Sequence, residues 1–210
     1  VKHETCPPEE DPPSAENMKH EIRRYKIYII FAFIVAAGLA AAFLVSRGHY
    51  PAALVDGELI SANRFALDYS AASLYYQNLL KTYGPAVQGG ELNPMDLELA
   101  VMNQLIDESL IKEGAAREVG GDLQYLLENK LSKFRDDANL SRAAAAIYGL
   151  DENNFASEVL IPQATRDILA GRLFLRGQKI EDWLLAARKS ARVVIFSRKF
   201  RWDGEKAVVR

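Results

Sequence analysis

One cysteine and three histidines are all that this chain of 210 residues carries of the side chains most used for disulfides, metal cages and proton transfer. A lone Cys6 excludes an intramolecular disulfide framework and a thiolate cage. His3, His20 and His49 stand at no spacing that pairs metal ligands, so neither a metal nor another cofactor is expected. Also missing are a glycine-rich phosphate loop ending in Lys-Ser or Lys-Thr, a nucleophile elbow and a His-Glu-x-x-His pair. The acidic pairs Asp107-Glu108 and Asp136-Asp137 are sequence neighbours, and helical neighbours point in different directions, so both read as solvated surface rather than catalytic pairs. Catalysis is therefore not expected.

Charge is missing from one stretch in particular. Residues 27–45 contain no charged side chain, and the apolar run of residues 27–46 is bracketed by Lys26 and Arg47. At 1.5 Å per residue such a run is long enough as a helix to cross a hydrocarbon core of roughly 30 Å. It reads as a transmembrane helix and signal anchor, with Ala40, Ala41 and Ala42 keeping a cleaved signal peptide open as the lesser alternative. Lys19, Arg23, Arg24 and Lys26 precede it and Arg47 follows, which places the N-terminus in the cytoplasm and the remaining body outside it, in the cell envelope. Ahead of the run, Pro7, Pro8, Pro12 and Pro13 among Glu9, Glu10 and Asp11 bury too little apolar surface to offset ordering, so residues 1–26 read as a disordered cytoplasmic tail.

Net charge is close to zero, but it is unevenly spread. Residues 47–164 hold 9 basic and 17 acidic groups, a balance of −8, whereas residues 165–210 hold 12 and 5, a balance of +7. Two readings follow. The basic end folds back on the acidic body, or it forms a patch for nucleic acid or anionic lipid; Arg188, Lys189, Arg192, Arg198, Lys199 and Arg201 are its exposed-surface candidates. These cations alternate with apolar residues instead of forming a dense block, which favours folding back and gives no reason to expect nucleic acid.

Beyond a linker at residues 47–51, two short extended pieces flank the Asp56-Gly57 turn. Ser61 caps a helix ending at Gly84-Pro85, in which Phe65, Tyr69, Ala72, Tyr76, Leu79 and Tyr83 recur at helical steps. Asn93-Pro94 opens a second helix, with Leu97, Val101, Met102, Leu105 and Ile106 on one face, stopped by Gly120-Gly121. Further helices are expected over residues 123–134, with Leu123, Leu126, Leu127, Leu131 and Phe134 inward, over 141–148, and after Asp151 with a kink at Pro162. A short helix over 180–188 leads to the strand signal of residues 192–196, whose natural partner is the extended piece near residues 53–60. Phe200, Trp202 and Asp203-Gly204 suggest a hairpin or tail over residues 198–210. The expected fold is mainly α, a helical domain over residues 52–197 closed by a small β pairing of its two ends.

Four segments in order resemble the N-terminal domain of SurA- and PrsA-type folding factors. They are Leu54-Val55-Asp56-Gly57-Glu58-Leu59-Ile60-Ser61 with Phe65; Leu105-Ile106-Asp107-Glu108-Ser109-Leu110-Ile111 leading to Gly120; Tyr148-Gly149-Leu150 with Phe155, Val159 and Pro162; and Trp183-Leu184-Leu185 through Arg192-Val193-Val194-Ile195. Isomerase-bearing members insert a parvulin domain before the closing helix. Here five residues separate Phe174 from Ile180, against about a hundred that a domain needs. A parvulin-like Gly120-Gly121-Asp122-Leu123 lacks flanking strands and reads as a helix stop. The resemblance implies a membrane-tethered, ATP-independent holdase for unfolded or newly translocated polypeptides. Its groove candidates are Tyr69, Tyr75, Tyr76 and Tyr83, with Met102 as an adaptable neighbour. The spacing of Tyr69, Tyr76 and Tyr83 equally suits a core stripe, whereas Tyr75, adjacent to Tyr76, is surplus to packing. The alternative is an envelope scaffold that uses the basic end, and an isomerase-related enzyme stands third.

Overall fold

The computed structural model describes residue 29 and residues 31–39, 50–84, 93–134 and 138–210. The chain divides into two units, Val1–Arg47 and Gly48–Arg210. In the first, residues 31–39 form a helix, α1. Among the described residues no helix is long and apolar enough to cross a membrane. Half of the run expected to span it, together with the tail before it, residues 47–49 of the linker and the Asp136-Asp137 pair, lies outside the described residues.

In the second unit, β1 (Pro51–Val55) and β2 (Glu58–Ser61) pair antiparallel across Asp56-Gly57, with Val55 opposite Glu58. Both turn residues take positive φ, 49° and 96°, as a two-residue hairpin requires. The strand expected near residues 192–196 is β3 (Val193–Ile195), and it pairs antiparallel with the other side of β1 to give the order β2-β1-β3. Asp56 latches this junction: its N–H donates to the Arg192 carbonyl at 3.0 Å, and its carboxylate accepts from the Arg192 N–H at 2.9 Å. The two ends of the unit are therefore joined, as their β propensity suggested.

Ser61 then caps α2 (Ala62–Tyr83), its side chain accepting from the Arg64 N–H, and Asn93 caps α3 (Pro94–Val119) by accepting from the Met95 N–H. Helix α3 is the centre of the core. It buries Val101, Met102, Leu105, Ile106, Leu110, Ile111 and Ala115 against α2, α7 (Ile161–Phe174), α8 (Ile180–Ser190) and the strands. The Gly120-Gly121-Asp122 segment is a single 3₁₀ turn between α3 and α4 (Leu123–Leu131), a helix stop and restart. A further 3₁₀ turn, Ser132–Phe134, follows α4. No α4 side chain is fully buried and Phe134 is exposed, so the inward face expected for residues 123–134 is only half covered.

Helix α5 (Ala138–Tyr148) and α6 (Glu152–Phe155, capped by Asp151) form a second, smaller core from Ala71, Ala144, Leu150 and Phe155. The kink expected at Pro162 takes the form of a π-helical turn, Ala156–Leu160, between α6 and α7. Proline lacks the N–H that would bond the Glu158 carbonyl, and a wider turn relieves the ring's clash with it. The hairpin of β4 (Phe200–Trp202) and β5 (Ala207–Val209) sets Phe200 and Ala207 in the main core. Asn103 on α3 fixes it, accepting from the Ala207 N–H at 2.7 Å and donating to the Ala207 carbonyl.

At Gly114 of α3 the Trp183 ring of α8 lies so close that an added Cβ would come within 2.5 Å of it, with Leu169 of α7 at 3.2 Å. Neither neighbour is the loose end of a flexible chain. Gly114→Ala should therefore lower the unfolding free energy by about 1–3 kcal/mol despite alanine's better helix propensity, measured by urea denaturation.

Candidate functional site

Three successive residues of α3 carry polar side chains to three different elements. Asp107 holds Arg188 of α8 through a two-pronged pair, with Nε to Oδ1 at 2.7 Å. Glu108 accepts from Arg64 Nη2 of α2 at 2.8 Å. Ser109 donates to Glu58 of β2 at 2.8 Å, and Lys112 pairs with the same carboxylate. Adjacent helical side chains do diverge, as expected for Asp107-Glu108. The surface reading of that pair is nonetheless wrong, because α3 has neighbours on every side they point to.

Arg64 forks between two carboxylates, its Nε donating to Glu158 of the π-helical turn at 2.9 Å. A third carboxylate, Asp68, sits one turn further along α2. Among the described residues its Oδ2 is buried with no hydrogen-bond donor. Burial pushes the Asp68 carboxyl from its ordinary 3.8 up to about 7, Glu158 and Glu108 push the same way, and Arg64 offsets part of the rise. Glu108 is also raised, first by burial, with Gln104 and Arg64 working against it. The cluster thus has one guanidinium for three carboxylates. It separates two surface cavities, of 660 Å³ and 630 Å³, which share Glu108, Glu158 and Pro162 as walls.

A third, apolar pocket of 210 Å³ is lined by Leu131, Phe134, Leu140, Phe155, Ala156 and Leu160. Small-molecule sites start near 300 Å³, so this one suits a side chain rather than a cofactor. Phe155 continues it into an aromatic tract, packing on Tyr148 at 5.6 Å, and Tyr148 stacks on Tyr75 at 5.4 Å with the rings 7° from parallel. Gly149 ends α5 with φ 68°, and this turn sets Tyr148 against α2.

The candidate residues read from the sequence divide against this geometry. Tyr75 is 40% exposed and heads the tract, as its surplus position suggested, while Tyr69 and Tyr76 are half-buried. Tyr83 is 67% exposed and belongs to no core stripe, because nothing described covers the last turn of α2. Met102 is 1% exposed inside the main core, so it packs α3 and lines no surface. Of the basic residues, Arg188, Lys189, Arg192 and Lys199 pair within the chain with Asp107, Glu205, Asp56 and Glu98, while Arg198 and Arg201 are exposed. The basic end does fold back on the acidic body. Tyr148 and Phe155, not among the binding candidates read from the sequence, join Tyr75 in the tract, with Phe155 itself buried in the smaller core; Tyr148-Gly149 carried a signal, an aromatic just before a helix-ending glycine.

Among the described residues no group of three His, Cys, Asp or Glu side chains is arranged to hold a metal ion. A central helix, a sheet closed by both ends and shallow apolar pockets define a mainly helical module. Residues 16–119 match the family model of the SurA-like N-terminal domain. The matched stretch takes in the β1–β2 hairpin, α2 and α3; α8 and β3, which close the sheet, lie beyond it. No curated protein and no solved structure matches the chain.

Folding takes up a proton at Asp68 between pH 3.8 and about 7, so the stability this group contributes is full below 3.8 and is lost as pH rises through 7. Asp68→Asn leaves a neutral amide that can donate to the neighbouring carboxylates. It should stabilise the protein at pH 8 by about 1–2 kcal/mol, after allowing for the group's partial exposure, and flatten the fall in Tm between pH 5 and pH 8.

Proposed function

We propose that the chain is an ATP-independent holdase that binds unfolded or newly translocated polypeptides, does no isomerase chemistry, and is tethered to the cytoplasmic membrane by residues 27–46. The observation that carries the reading is the aromatic tract Tyr75–Tyr148–Phe155 running into the pocket beside Phe134, on a SurA-type domain. Binding there would bury client leucine, valine or aromatic side chains at about 25 cal/mol per Å² of apolar surface. Contacts of this kind are weak singly and tolerant of sequence, which suits a binder of many clients. The scaffold alternative loses support because four of its six cations are spent in intrachain pairs.

Tethering rests on the uncharged run and on the cations before it. The N-terminus then faces the cytoplasm and the body works where translocated chains emerge.

Reconstituted in nanodiscs, the full chain should suppress aggregation of several unrelated unfolded proteins without ATP, read by light scattering. Phe134→Ser combined with Tyr75→Ala should weaken this severalfold without changing Tm by more than a few degrees. No protection of any client would refute the holdase reading. In intact cells Cys6 should resist an impermeant maleimide while external protease reaches the body once the outer barrier is opened; labelling of Cys6 would reverse the orientation.

A further inference from the structure

The three-stranded sheet buries only one of its faces. Ala53, Val55, Ile60 and Ile195 enter the main core. The register places Leu54 opposite both Leu59 and Val194, so these three share the other face, and strand alternation adds Phe196, whose N–H bonds the Ala52 carbonyl. Leu59 is 53% exposed, Val194 51% and Phe196 53%. Half-solvated sheets normally show polar residues there. This face is instead apolar across all three strands, with Tyr50 exposed where the chain enters β1 and the cations Arg192 and Arg198 exposed at its border.

What lies opposite follows from chain length. Pro51 begins β1 only five residues after Ser46, the last of the apolar run, and five residues reach at most about 17 Å. A compact unit of the size of Gly48–Arg210 has a radius of gyration of about 15 Å, so its far side lies well beyond that reach. A short tether attached to the middle strand keeps that strand within reach of a bilayer surface. Tyrosine, exposed aliphatics and arginine are the composition of a membrane interface, and Arg198, which pairs with no acid among the described residues, would meet anionic headgroups.

We propose that the Leu54–Leu59–Val194–Phe196 face of the sheet docks on the lipid surface, holding the aromatic tract in a fixed orientation above the membrane. This rests on the tethering reading, and its test separates the two. In the full chain carrying Cys6→Ser, a fluorophore is placed in turn at Leu59→Cys, Val194→Cys, Phe33→Cys within the apolar run, and Ser132→Cys on the 3₁₀ turn after α4. Each protein is reconstituted in vesicles of phosphatidylethanolamine and phosphatidylglycerol containing a shallow spin-labelled lipid. Docking gives strong quenching at 33, 59 and 194 and severalfold less at 132. Quenching at 33 alone overturns docking while leaving the tether intact, and no quenching at 33 removes both. Disulfide cross-linking of two copies through position 194, without quenching there, would make this face a contact between copies and overturn lipid docking.

Discussion

A helix packed against several elements at once needs partners for the polar side chains that point at them, and α3 meets that demand at four positions. Asp107 reaches α8, Glu108 reaches α2, Ser109 reaches β2, and Asn103 holds β5. Each bond ties a different part of the chain to one axis, with separations of 44 to 104 residues in sequence. Between these ties α3 offers a dense apolar stripe, and at Gly114 it drops its side chain altogether to admit Trp183. Breaking one partner of such a pair strands a charge in low dielectric, which costs far more than an exposed ion pair contributes. The arrangement of the other helices therefore follows from α3.

The periphery is built differently. Helices α4 to α6 contribute a small second core, no fully buried α4 side chain, and a π-helical turn where Pro162 prevents regular bonding. Shallow apolar pockets belong in such a region, because sparse packing leaves apolar side chains partly uncovered. The charge cluster of Arg64, Asp68, Glu108 and Glu158 sits at the seam between the two regions. One guanidinium for three carboxylates makes that seam the part of the fold most sensitive to protonation.

Local chemistry was well represented in the sequence. Ser61, Asn93-Pro94 and Asp151 mark helix starts, Gly84 and Gly120 mark ends, and Asp56-Gly57 marks the hairpin, because each acts on its own neighbours. The pairing of β3 with β1 was legible because a strand of Val193-Val194-Ile195 needs a partner and few were on offer. Less legible were residues whose meaning depends on distant packing. Met102 sits on the same face as Leu105 and Ile106, yet its type also suits an adaptable surface; only its burial against the strands decides between them. Tyr83 has core spacing, yet it is exposed among the described residues. Asp107-Glu108 looks like any exposed acidic pair until two helices carry Arg188 and Arg64 to it.

The sequence by itself determined a helical module, its element boundaries, the closure of its ends, and a resemblance that the family match bears out over residues 16–119. These are consequences of periodicity, capping and turn chemistry, which act over a few residues. Tertiary structure alone decided which carboxylates are buried, which tyrosine is free, and that Tyr148 and Phe155 continue from Tyr75 into a pocket. Solvent exposure and electrostatic environment are properties of what packs against a residue, and that packing is set by the whole chain at once.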